Sequence, residues 1–158
     1  MNDKKIICNG PLTELAAKLK EDPDCKNDIS EIHILGGALW RGDATPGAEK
    51  NIYEDPDAAD YVFKSGIPII WYPKDIISEY TNIGFIGVAT TVRRPVDLNE
   101  YNNLPNIYDR DPDSLMIVDG GVQVETKGSV SRGKTANDLF SDAKYEVKNV
   151  RVVLGFKL

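Results

Sequence analysis

Three short apolar runs, each halted by glycine or proline and separated by helical stripes, constrain this chain more than any other feature. Lys4 to Cys8 runs into Asn9-Gly10-Pro11, Ile29 to Leu35 into Gly36-Gly37, and Ile67 to Tyr72 into Pro73. Runs of this length without polar alternation suit strands buried on both faces. Leu12, Leu15, Ala16 and Leu19 fall on one helical stripe, with Pro11 expected in the first turn and Asp22-Pro23 closing it. A second stripe, Ala58, Ala59, Val62 and Phe63, follows an Asp55 cap with Pro56 at the first helical position, and Ser65-Gly66 ends it. Strand, helix, strand, loop, helix, strand predicts an α/β fold with a parallel sheet, right-handed crossovers and helices on both faces.

Beyond Tyr80 the pattern changes. Residues 81–110 hold scattered glycine, proline and asparagine with no sustained helical period, so they read as an irregular segment. Met116 to Val118, Val122 to Thr126 and Val150 to Phe156 read as short strands, a C-terminal β element. At 158 residues the whole chain, 1–158, is expected to be a single domain.

Composition narrows the partners. A net charge of -6, with Arg93-Arg94 as the densest basic spot, argues against nucleic acid. Apolar runs are far shorter than the ~20 residues a membrane helix needs, and no signal-peptide apolar region opens the chain, so a cytoplasmic protein without a membrane contact is expected. Cys8 and Cys25 are expected as free thiols.

The loop after the second run is the place to look for chemistry, because rigid loops at strand ends carry it in α/β proteins. Glu49 and Asn51 alternate, so in an extended segment they face the same side. With Asp43 they offer the acceptors and the amide that a sugar diol requires. The same residues are also consistent with turn-closing Asp43 and Asn51 and a solvated Glu49, a loop carboxylate that carries little packing. His33, the only histidine, sits inside an apolar strand and reads as structural. The acidic runs Asp55, Asp57, Asp60 and Asp109, Asp111, Asp113 lack the glycine and distal glutamate of an EF-hand. Lys127 to Lys134 opens no helix and is no P-loop.

The segment Gly36-Gly37-Ala38, Gly42-Asp43, Thr45-Pro46, Ala48-Glu49-Lys50-Asn51 and Asp55-Pro56 resembles the loop of the inosine–uridine preferring nucleoside hydrolases, whose pattern runs GGA, GN, TP, AEFN, DPEAA. Asn9 to Ala16 resembles the family's TGPLTNLA. Ser65 to Ile69 with Asp75, Val124 to Gly128 with Arg132 to Thr135, and Asn149 to Val152 extend the likeness, which covers roughly residues 4–80 and 111–156. The resemblance implies hydrolysis of the N-glycosidic bond of ribonucleosides. It implies ribose contacts from Asp43, Glu49 and Asn51, and a calcium ligand in the Asn9 backbone carbonyl. Two positions depart from the pattern: Asp43 stands where the family has asparagine, and Lys50 where it has phenylalanine.

The family's DTDxGxDD cluster, which supplies calcium carboxylates and the water-activating base, has no counterpart here. Neither does its HDP motif, since Asp111-Pro112 aligns with a later DP. The resemblance therefore implies no catalytic residue in this chain, calcium that is weak or absent, and a polypeptide inactive alone. The alternatives are a non-catalytic sugar- or nucleoside-binding module, or a subunit completed by a separate N-terminal half. Lys4 to Cys8 would be an uncovered sheet edge, so a homodimer is also expected.

Overall fold

The computed structural model describes residues 4–78, 115–139 and 148–156; the segment 81–110 lies outside them. Among the described residues six strands form one sheet in the order β1-β2-β3-β6-β4-β5. They are β1 (Lys4–Cys8), β2 (Ile29–Leu35), β3 (Ile69–Tyr72), β4 (Leu115–Val124), β5 (Thr135–Asp138) and β6 (Val150–Phe156). The first three and β6 run parallel, in pairs such as Ile7 with His33, Ile34 with Trp71, and Trp71 with Val152. Beyond β6 the sheet turns antiparallel through β4 and β5.

The parallel half forms as the apolar runs require. All four residues of β3 are buried, and Ile32, Trp71 and Val152 are fully enclosed at its centre. Burying each such side chain contributes about 1.5–3 kcal/mol. Helices α1 (Thr13–Glu21) and α3 (Pro56–Phe63) pack on each other, and α3 also packs on β4. Their buried stripes are Ala16 and Leu19 on α1, and Ala58, Ala59, Val62 and Phe63 on α3. Asp55 caps α3 by accepting the Ala58 N–H at 3.1 Å, and it also accepts the Thr13 hydroxyl at 2.6 Å, tying the starts of the two helices together. Cys8 and Cys25 are both free thiols, and burial pushes the Cys8 thiol up to about 11.

The structure differs from the sequence expectations in four places. Pro11 precedes α1, whose first bond runs from the Ala16 N–H to the Leu12 carbonyl at 2.9 Å. A 3-10 turn, Pro23–Asp28, follows directly. Gly120-Gly121 does not break the chain into two strands: β4 passes straight through it, pairing Gly120 with Val150 and Gly121 with Asp138. A Cβ at Gly120 would lie 2.8 Å from Leu139 Cδ2, so this glycine serves close packing and not a turn. Finally, Val150–Phe156 belongs to the parallel half, so the C-terminal β element is built into the same sheet.

Candidate functional site

The candidate residues gather where β1, β2 and β3 end, the rim at which parallel α/β sheets hold ligands. Asn9 follows β1, Gly36-Gly37 follows β2, and Lys74 opens the short helix α4 (Lys74–Ser78) after β3. The loop from β2 then leads into a five-residue helix, α2 (Lys50–Glu54).

Glu49 is the hinge of this loop. It is only 2% exposed. As the cap of α2 its carboxylate accepts the Asn51 N–H at 2.9 Å and the Ile52 N–H at 3.4 Å, and it reaches back to accept the Gly37 N–H at 2.8 Å. The expectation of a solvated loop carboxylate is therefore overturned. So is the extended alternation with Asn51, because Asn51 lies in the first turn of α2. Both side chains still lie against Gly36 at the rim, where Asn51 Nδ2 donates to the Leu35 carbonyl at 3.2 Å and to the Asn9 carbonyl at 3.3 Å. Burial raises the pKa of Glu49, and the nearby Asp43 charge adds to this; the Asn51 and Gly37 N–H groups and Lys74 oppose it.

Asp43 accepts the Lys50 N–H at 2.8 Å and pairs with Lys74 Nζ at 2.7 Å. Partial burial works against its ionisation, but Lys74 and the Lys50 N–H outweigh it and hold the carboxyl below the usual aspartate value. Lys74 Nζ also lies 3.6 Å from Glu49 Oε1, so one ammonium faces both carboxylates.

The rest of the loop is held by side chains from distant segments. Asp75, 5% exposed, accepts N–H groups from Leu39, Trp40 and Arg41 at 3.0, 2.8 and 3.2 Å. Thr135 Oγ1 accepts from the Ala38 N–H at 2.9 Å and donates to the Ala38 carbonyl at 2.6 Å. Trp71 Nε1 donates to the Gly36 carbonyl at 2.6 Å. Gly37 has φ +71°, and a Cβ there would lie 3.0 Å from Thr135 Cγ2, so only glycine fits comfortably. In the sequence Asp75 and Thr135 stand out only as parts of matching segments, and Lys74 not at all.

His33 stays out of this rim chemistry. It is 3% exposed, with Nδ1 2.9 Å from the Tyr72 hydroxyl and Nε2 2.9 Å from Glu31 Oε1, a packed and hydrogen-bonded histidine.

The donor set does not suit calcium on its own. A hard cation takes six to eight oxygen ligands. Among the described residues no group of three or more His, Cys, Asp or Glu side chains could hold a metal ion. The Asn9 carbonyl already receives Asn51 Nδ2, and Lys74 faces the two nearby carboxylates.

The profile of the family described as inosine-uridine preferring nucleoside hydrolase matches residues 2–158. The chain is 32% identical over 160 residues to the pyrimidine-specific ribonucleoside hydrolase RihA of Enterobacter sp. (strain 638), covering 86% of this chain and 51% of that protein. It is 33% identical over 159 residues to the Escherichia coli O8 RihA, covering 85% and 51%. The chain thus spans about half the length of these curated relatives. The fold resembles the purine-preferring ribonucleoside hydrolase from Gardnerella vaginalis, with a TM-score of 0.68 at 24% identity, covering 98% of this chain and 56% of that one. It also resembles the inosine-uridine preferring nucleoside hydrolase from Bacillus anthracis, with a TM-score of 0.69 at 21% identity, covering 99% and 57%. On this match across nearly its full length, the chain belongs to the inosine-uridine preferring nucleoside hydrolase family.

Proposed function

We propose that the rim formed by Asp43, Glu49 and Asn51 is the ribose-holding part of a nucleoside hydrolase site, and that this 158-residue polypeptide alone does not cleave nucleosides. The observation that carries the reading is that Asn51 spans the Leu35 and Asn9 carbonyls while Glu49, two residues before it, holds the Gly37 N–H at the same C-terminal rim of the parallel strands. With both Asn51 Nδ2 hydrogens given to the Leu35 and Asn9 carbonyls, its Oδ1 and the second lone pairs of the Glu49 and Asp43 carboxylates are the acceptors that the hydroxyls of a vicinal diol pair with. The frame bonds that fix Gly37, Ala38 and Leu39 keep these groups in place before a sugar arrives, which lowers the ordering cost of binding.

Cleavage asks for more than sugar binding. It needs a base to activate water and a group to protonate the leaving nucleobase. His33 is engaged within the sheet, and neither Glu49 nor Asp43 has an oxygen free of backbone or Lys74 contacts. The Asn9 carbonyl is the contribution this chain offers to a cation, and carboxylate ligands would have to come from elsewhere.

As a second reading we propose that the chain works with a separate N-terminal half that supplies the catalytic carboxylates; it is supported by the match to about half the length of the curated relatives. Calorimetric titration with D-ribose tests the binding claim. Wild type should bind, and Asn51→Ala should weaken binding at least about tenfold, the scale of one or two lost hydrogen bonds. Ribose release from inosine or uridine by the chain alone would defeat the proposed inactivity. Release on addition of a family N-terminal half would support the subunit reading.

A further inference from the structure

Lys74 stands out because no sequence motif named it, yet two of the rim carboxylates face it. Its ammonium lies 2.7 Å from Asp43 Oδ2 and 3.6 Å from Glu49 Oε1, and its side chain is 27% exposed against 2% for Glu49. Placing one carboxylate beside another in a partly buried site requires a counter-charge, or one of them takes up a proton. A divalent ion or an ammonium can supply that charge. Here the ammonium does, on a residue that opens α4 immediately beside Asp75, the anchor of the Leu39–Arg41 backbone.

Each oxygen of the two carboxylates already has a partner, which leaves lone-pair capacity for a hydroxyl donor but sets the Lys74 charge against a metal ion. Glu49 Oε2 accepts the Gly37 and Asn51 N–H groups, and Oε1 accepts the Asn51 N–H while facing Lys74. Asp43 Oδ1 accepts the Lys50 N–H, and Oδ2 is taken by Lys74. A divalent ion using these carboxylates would have to displace Lys74. We propose that Lys74 is the charge-balancing cation of this rim, so that the chain holds a neutral polyol there without a divalent ion. The polyol half of this statement rests on the reading under Proposed function; the ion half does not. Lys74 acts as a positioning residue, keeping Asp43 and Glu49 side by side.

Terbium luminescence on the full chain tests the ion half, excited through Trp71, whose ring is hydrogen-bonded to Gly36 at the rim. Wild type and Lys74→Arg should show no saturable emission, whereas Lys74→Met should gain it. Equal emission from wild type and Lys74→Met, or none from Lys74→Met, would overturn the assignment. If Lys74→Met does not fold by circular dichroism, Lys74→Gln carries the same comparison. D-ribose calorimetry supplies the second arm. Wild type should bind equally in EDTA and in added calcium, with Lys74→Met weaker by at least about tenfold and Lys74→Arg restored. Calcium-dependent binding by wild type would sink the Lys74 assignment and leave the sugar site standing. No ribose binding in either buffer would sink the sugar site and leave Lys74 to the terbium result.

Discussion

Glu49 combines two duties that pull in opposite directions. It fixes the backbone of Gly37 and Asn51, and it is the buried carboxylate of the rim. Replacing it with alanine strands those N–H donors at a cost of about 1–3 kcal/mol each, so Glu49→Ala should unfold at clearly lower urea concentration. Glu49→Gln keeps the shape, and its comparison with wild type carries a pH signature. Burial raises the folded pKa of Glu49, so its contribution to stability is complete below the ordinary glutamate value of 4.5 and is lost as pH rises through the raised one. Urea titrations should therefore show Glu49→Gln gaining on wild type as pH rises from mildly acidic to neutral. A constant difference would contradict this. Asp75 is the second residue whose loss should be severe. Asp75→Ala leaves the N–H groups of Leu39, Trp40 and Arg41 without their acceptor and should destabilise by on the order of 3 kcal/mol, read by thermal unfolding.

Among the elements, α1 and α3 start from one shared point, the Asp55 carboxylate. Asp55→Ala should lose about 1 kcal/mol for the cap alone, and Thr13→Val a smaller share, both measurable by denaturant unfolding. The Thr13 hydroxyl, then the Ala58 N–H, holds the Asp55 carboxyl below the ordinary value of 3.8; that contribution is present above this value and is lost as pH falls through the depressed one. Asp55 with Pro56 was readable in the sequence because cap and first-turn chemistry is local. The same holds for β1, β2 and β3, whose apolar runs and terminating glycine or proline need no distant partner to be seen. The helix α2 was not readable: five residues give no period, and its cap is a glutamate whose other bonds run twelve residues back to Gly37. β5 escaped because its four residues alternate weakly and pair only with β4. The site divides in the same way. Asp43, Glu49 and Asn51 share one short segment and stand out together as candidates, whereas Thr135, 97 residues from Ala38, and Lys74, 31 from Asp43, become neighbours only once the sheet forms.

For the molecule as a whole, the outer edge of β1 bears on assembly. β1 is the end strand of the sheet, and its Ile7 is 51% exposed. Such an edge invites pairing, and a two-fold dimer is the commonest closed solution. Light scattering at high concentration should report twice the 17.5 kDa chain mass; a stable monomer would mean that this edge is covered from within. The position of β6 carries a different consequence. Among the described residues it is the strand that joins the parallel half to the antiparallel pair, with β3 on one side and β4 on the other, and its Arg151 pairs with Ile70, 81 residues earlier (151 − 70). During synthesis β1, β2 and β3 emerge early but cannot be joined to β4 until residues 150–156 have left the ribosome. The central seam therefore closes last, after the long loop entropy has been overcome. Until then Trp71 and Val118 both lack Val152, the β6 neighbour that lies between them.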